Sequence, residues 1–231
     1  MSALRADPGA AAARHTDTPV ILIANGKGGV GKTLLMMGLC AHTAMAHGRA
    51  LGVDVDPLRI AYRITQELHD PGYDIVHESD PRALSGIRKL RDYDMIFVDA
   101  PGSLEGRDVL RELLRRVSYV IIPSDHEPTT RVATLDTVDL IAPTGVPYRV
   151  LLNNLDPSRG VGHVKKAREW LDKKELPYFR TLVRRYVAWP TSLDEGRTIT
   201  QWRGKNSANA RQDISAVHTE LLLDLAKRRV S

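Results

Sequence analysis

The stretch Asn25-Gly26-Lys27-Gly28-Gly29-Val30-Gly31-Lys32-Thr33 constrains this chain more than any other. From Gly26 to Thr33 it satisfies G-x-x-x-x-G-K-[ST], the pattern of a loop that wraps phosphate groups. An apolar run from Pro19 to Ala24 precedes it, and Leu34 to Leu39 opens a helix behind it, which is the strand, loop, helix context that the pattern requires. The glycines let the backbone turn tightly, so the N–H groups of Gly28, Gly29, Val30, Gly31, Lys32 and Thr33 are expected to converge on phosphate oxygens at a positively polarised helix start. Lys32 is then placed to hold the β and γ phosphates of a nucleotide such as ATP, and the Thr33 hydroxyl to ligate Mg²⁺.

Apolar runs and helical stretches alternate along the rest of the chain. Strands are expected at 49–56, ending in Asp54 and Asp56, at 73–77, at 93–99, ending in Asp99, at 118–124 and at 147–154. Helices are expected up to about His47 and at 58–68, 81–91, 104–117, 129–142, 160–175 and 207–230. This alternation predicts one doubly wound α/β domain over 18–231 with a mainly parallel sheet and helices on both faces. Residues 1–17, small and polar, read as a disordered tail that leaves no room for a preceding operator-binding module. An apolar strand ending in aspartate, about 70 residues after a phosphate loop, is a metal-binding carboxylate pattern, so Asp99 joins Thr33 as an expected Mg²⁺ ligand.

The single cysteine, Cys40, excludes an intrachain disulfide or an iron–sulfur site within one chain, and packing is its expected role. The histidines show no metal-ligand spacing. No stretch approaches the roughly 20 apolar residues of a membrane span, so a cytoplasmic chain is expected.

Lys27 is unusual, since most phosphate loops carry no lysine after the first glycine. With it, Lys27-Gly28-Gly29-Val30-Gly31-Lys32-Thr33 resembles the deviant Walker A loop of the ParA/MinD ATPases. Asp54-Val55-Asp56-Pro57 is similar to that family's Asp-x-Asp-Pro segment, and Asp99-Ala100-Pro101-Gly102 to its second switch. The resemblance implies that Lys27 reaches the partner's phosphates across an ATP-dependent sandwich homodimer and that Asp56 helps position the attacking water. It also implies that Asn153 or Asn154 recognises adenine; turn chemistry alone also puts asparagines at strand ends. Leu58 departs from the glutamine usual after this proline.

Charge points to a second region. Lys and Arg number 16 against 19 Asp and Glu through residue 148, and 17 against 9 thereafter. Such asymmetry suits a polyanion partner or a solvated basic face. Glu195-Gly196-Arg197-Thr198-Ile199-Thr200 resembles the late segment of ParA proteins, which implies nonspecific DNA binding by C-terminal cations. Arg184, Arg185, Arg203, Lys205 and Arg211 are the candidates, and a dimer would duplicate the patch. The implied function is ATP-driven partition of plasmid, chromosome or phage DNA, nucleoid-associated and stimulated by a centromere-binding adaptor. A MinD-like positioning ATPase on a membrane surface, anchored by the basic C-terminal helix, is an alternative, and packing of that helix on the sheet is the expectation. An ATP-dependent small-molecule ligase or kinase is the other; no acceptor-binding motif supports it.

Overall fold

The computed structural model describes residues 17–80, 82–102 and 107–230. The expected tail therefore lies outside the described residues except for Asp17, as do the first residues of the helix expected at 104–117. Seven strands form one sheet: β1 (Val20–Ile23), β2 (Ala50–Asp54), β3 (Asp74–His77), β4 (Met95–Asp99), β5 (Tyr119–Ser124), β6 (Tyr148–Leu155) and β7 (Tyr178–Arg184). Their order is β3-β2-β4-β1-β5-β6-β7, and every pairing is parallel.

Alternation along each central strand divides the core in two. Ile21, Ile23, Met95, Phe97, Tyr119 and Ile121 face one side. There they meet the helices α1 (Lys32–Met45), α2 (Ile60–Gln66), α6 (Ala188–Asp194) and α7 (Ser207–Val230). Val20, Leu22, Ile96, Val98, Val120 and Ile122 face the other side, against α3 (Arg107–Leu114), α4 (Pro128–Ile141) and α5 (Gly160–Lys173). A period of two in strands buried on both faces produces this split and covers a parallel sheet with helices on each side.

The chain turns from one half of the sheet to the other at β1, which has β4 and β5 as neighbours. Such a switch point opens a crevice beyond the carboxyl ends of the strands. Register puts Ile23 and Asp54 on either side of Asp99, so two carboxylates reach the crevice rim beside the end of β1.

Two regions differ from expectation. Residues 83–89 form a 3₁₀ helix, Ala83–Lys89, rather than an α-helix, in keeping with the poor helix propensity of Ser85 and Gly86. Residues 178–184, read only for their charge, form β7, the edge strand beside β6. Its backbone N–H groups at Arg180 and Thr181 donate to the Glu220 carboxylate at 2.8 and 3.0 Å, and that of Arg184 to Asp213 at 3.0 Å. Both carboxylates come from α7, whose buried Ala210, Ile214, Val217 and Leu221 pack toward β7 and α1, the packing expected for the last helix. Among the described residues no helix is long and apolar enough to cross a membrane. Cys40 is buried in the core as expected, and burial pushes its thiol pKa up.

Candidate nucleotide site

The phosphate loop leaves β1 at Ala24 and enters α1 at Lys32, at the switch point of the sheet. Gly29 and Gly31 hold φ of 79° and 83°, a left-handed backbone that L side chains rarely adopt. Gly31 has a second constraint: a Cβ there would lie 2.7 Å from Asn153 Nδ2. The two asparagines at the end of β6 therefore abut the loop. Asn153, buried, donates from Nδ2 to the Val30 carbonyl at 2.6 Å, and Asn154 reaches the Gly29 carbonyl at 3.5 Å.

Lys32 is buried, and its ammonium donates to the backbone carbonyls of Asn25 (3.2 Å) and Lys27 (3.0 Å). Burial lowers its pKa, against the opposing pull of Asp99 and Asp56. Gly102 backs onto this lysine, since a Cβ there would stand 3.1 Å from Nζ. Lys27, four residues before Gly31, is exposed. The loop thus carries one lysine inside it and one outside.

Thr33 donates its hydroxyl proton to Asp99 Oδ2 at 2.6 Å. Burial pushes the Asp99 carboxyl up to about 7, against the lowering effects of Thr33 and Lys32. Its Oδ1 is buried with no hydrogen-bond partner among the described residues. A buried carboxylate oxygen left unpaired beside a threonine hydroxyl fits a hard divalent cation, which takes oxygen ligands from one or two side chains and from phosphates. Mg²⁺ suits these residues on that ground.

The two aspartates after β2 have different roles. Asp54 is fully buried and spends Oδ1 on the Asp56 N–H (3.0 Å) and Oδ2 on the Tyr62 N–H (2.9 Å), which ties the strand end to α2. Asp56 is half-buried and accepts from the Leu58 N–H at 2.9 Å. It lies close enough to Lys32 and Asp99 to act on both electrostatically. Leu58 itself is 69% exposed.

A cavity of about 400 Å³ opens beside the loop, lined among others by Gly31, Asn153, Asn154, Arg185, Tyr186 and Val187. Its far wall comes from the end of β7 and the turn after it, where the sequence suggested DNA-binding arginines and not a wall of the nucleotide cavity. A larger apolar cleft of about 530 Å³ between α5, β7 and α7 contains no part of the phosphate loop.

The five basic candidates are individually tethered or exposed. Arg184 forms an ion pair with Asp213 through Nη2, adds a 3.1 Å bond from Nε, and stacks over Tyr186. Arg185 points the other way, to Asp156. Arg203 and Arg211 both donate to the Trp202 carbonyl, at 3.1 and 2.6 Å, and Arg203 also to that of Thr200. Lys205, between them in sequence, is exposed.

Residues 21–199 match the family described as the CobQ/CobB/MinD/ParA nucleotide binding domain. The chain is 35% identical over 213 residues, 90% of its length and 96% of the relative's, to "Maintenance of carboxysome distribution protein A" of Gloeobacter kilaueensis. Among solved structures, the MinD cell division protein of Aquifex aeolicus superposes with a TM-score of 0.72 at 18% identity, covering 89% of this chain and 97% of that one. The ATP complex of a Cyanothece McdA variant gives 0.66 at 12% identity, over 89% and 97%. At such identities these two speak for the fold alone.

Proposed function

Because the chain belongs to the CobQ/CobB/MinD/ParA nucleotide-binding family, whose ParA and MinD members are ATPases, we propose that it is an ATP-driven positioning ATPase. Two copies join face to face across the crevice when ATP and Mg²⁺ are bound. The pair holds nonspecific DNA of the nucleoid, and slow hydrolysis, stimulated by an adaptor protein on the cargo, releases it. The observation that carries this reading is the contrast between the two lysines of one loop. Lys32 is buried and serves the phosphates of its own subunit, while Lys27 is exposed and left to serve those of another.

Within the site, the loop amides and Lys32 bind and orient the phosphates, since fixed donors cost no reorganisation as charge develops. Thr33 and Asp99 would hold Mg²⁺, which supplies charge neutralisation at the phosphates when bound. Asp56 orients the attacking water, being close to Lys32 and Asp99 yet less buried than either. The cavity of about 400 Å³ beside Gly31 receives the adenine, with Asn154 and the turn at Arg185 to Val187 on its walls. Asn153, held against the loop, acts there as a brace more than as a reader of the base.

The cargo is the finer question. Plasmid, chromosome or phage DNA follows from the ParA resemblance, whereas the relative's name, maintenance of carboxysome distribution, favours a large protein assembly. The membrane alternative is weaker, because Ala210, Ile214, Val217 and Leu221 of α7 are spent inside the core, which leaves only Leu222 and Leu223 as large exposed apolar side chains on that helix among the described residues. Binding to a nonspecific duplex, measured with ATP–Mg²⁺, with ADP and without nucleotide at two salt concentrations, tests the reading. Binding that requires ATP and weakens with salt is expected. Absence of binding in every nucleotide state refutes the DNA component, and ATP-dependent dimerisation that survives Lys27→Ala refutes the bridging lysine.

A further inference from the structure

The front of the phosphate loop is held by the helix α4. Three threonines of α4, Thr130, Thr134 and Thr137, are buried and spaced four and three residues apart, so they share one face of the helix. Thr134 and Thr137 spend their hydroxyl protons on carbonyls one turn back, Thr130 O at 2.8 Å and Ala133 O at 2.6 Å. A hydroxyl has one proton, so both oxygens remain as acceptors. The loop supplies the matching donors: Asn25 Nδ2 meets Thr134 Oγ1 at 3.1 Å, and the Gly26 N–H meets Thr137 Oγ1 at 3.2 Å.

Asn25 is only 2% exposed, and its side chain is fully engaged. The second proton of Nδ2 goes to the Pro123 carbonyl at the end of β5 (2.9 Å), and Oδ1 accepts the Lys27 N–H at 2.9 Å. The backbone on both sides of Gly26 is thus clamped to β5 and α4 immediately before the exposed lysine. The later half of the loop is held by other residues, with Asn153 on Val30 and Asn154 on Gly29. The two asparagines thus hold the phosphate cradle while α4 and β5 hold the front clamp, and the Lys32 ammonium, on the carbonyls of Asn25 and Lys27, joins the two.

We infer that Asn25, Thr134 and Thr137 are positioning residues that fix the direction in which Lys27 leaves the loop, and so set how well two copies pair on ATP. This rests on the bridging role of Lys27 proposed above. Holding the backbone at Lys27 narrows the range over which its long, flexible stem spreads the ammonium, and so raises the share of copies poised to make a contact across an interface. Nucleotide binding by one subunit depends mainly on the amides behind Lys27.

The test compares Thr137→Val, Thr137→Ser and Lys27→Ala with the parent chain by ADP affinity of the monomer, ATP-dependent dimerisation in sedimentation, and thermal melting. Valine keeps the shape of threonine and removes the acceptor of the Gly26 N–H; serine keeps the acceptor. Thr137→Val is expected to weaken dimerisation about tenfold while ADP affinity stays within about threefold, and Thr137→Ser to recover the parent behaviour. Unchanged dimerisation in Thr137→Val, with Lys27→Ala unable to dimerise, overturns the positioning role and leaves the bridging lysine intact. A parallel loss of ADP affinity overturns it too, by making the threonine a general support of the loop. If Lys27→Ala dimerises normally, the bridging reading itself fails. Should Thr137→Val not fold, Thr134→Val, which removes an acceptor from Asn25 alone, is read by the same outcomes.

Discussion

The phosphate-loop crevice and the basic C-terminal third handle charge in opposite ways. The crevice has few cations, and the backbone sets the place of each: Lys32 is buried against the carbonyls of its own loop, and Lys27 is exposed at the loop's front. The C-terminal third has many cations, and scattered partners hold several of them, Arg184 by Asp213, Arg185 by Asp156, and Arg203 and Arg211 together by the Trp202 carbonyl. A local chain pattern therefore locates the first region. The net charge of the second says only that arginines are present, not which are available to a polyanion. Availability depends on carboxylates far away in sequence.

The largest effect that separates the two regions is expected from Lys32→Ala. Removing a buried cation aimed at developing phosphate charge should lower ATP turnover on the order of 10²- to 10³-fold with the fold retained, as read by steady-state hydrolysis and circular dichroism. Turnover within tenfold of the parent would move the chemistry out of the crevice.

A smaller effect is expected in the basic third, and of a different kind for two adjacent residues. Arg184→Ala leaves the Asp213 carboxylate, 6% exposed, without its guanidinium, and should cost about 2 kcal/mol of stability in urea melts. Arg185→Ala loses a more exposed pair and should change stability by less than about 1 kcal/mol. It should instead reduce the salt slope of DNA binding by about 1. If both variants change DNA binding equally and stability not at all, the contrast between an arginine paired to a buried carboxylate and one paired at the surface is wrong.

An effect that is smallest near neutral pH and grows as pH falls sharpens the crevice itself. In the metal-free protein the Asp99 carboxyl is raised to about 7 from its ordinary 3.8, chiefly by burial. The folded chain therefore keeps a proton between about pH 4 and 7 that the unfolded chain has lost, and its stability declines as pH rises through that window. A cation must displace the same proton, so Mg²⁺-dependent ADP affinity should weaken by up to about tenfold per pH unit below 7 and level off above it. Titration calorimetry at several pH values checks this, and an affinity flat from pH 5 to 8 removes Asp99 from the metal site.

Much of the crevice was legible because its elements are local. The glycine pattern, the strand before it and the helix behind it span fewer than thirty residues, and Asp99 ends an unbroken apolar strand. The expected sheet and the helices on both faces follow from the same alternation. The edge strand β7 was not legible, since Arg180 and Arg184 within it and Arg185 just after it made the segment read as a charge cluster; only Phe179 and Val183 are buried. The 3₁₀ geometry of Ala83–Lys89 was also missed, because charge periodicity does not distinguish it from an α-helix. The resemblance pointed to Asp56 for the water, but what Asp54 does appears only in three dimensions, where the N–H groups of Asp56 and Tyr62 occupy both its oxygens.

The carboxylates that α7 places on β7 bear on assembly. A bare strand at the rim of a sheet offers donors and acceptors to any neighbour, which is how sheets grow from one molecule into the next. Here Glu220 and Asp213 consume the amides at Arg180, Thr181 and Arg184, and Arg168 caps the Arg180 carbonyl. That rim has little left to offer a passing strand, so copies crowded on a shared surface are steered away from open-ended stacking there. In the proposed dimer, contact through the crevice face ends once two faces are joined, and it is the route that nucleotide would open and close.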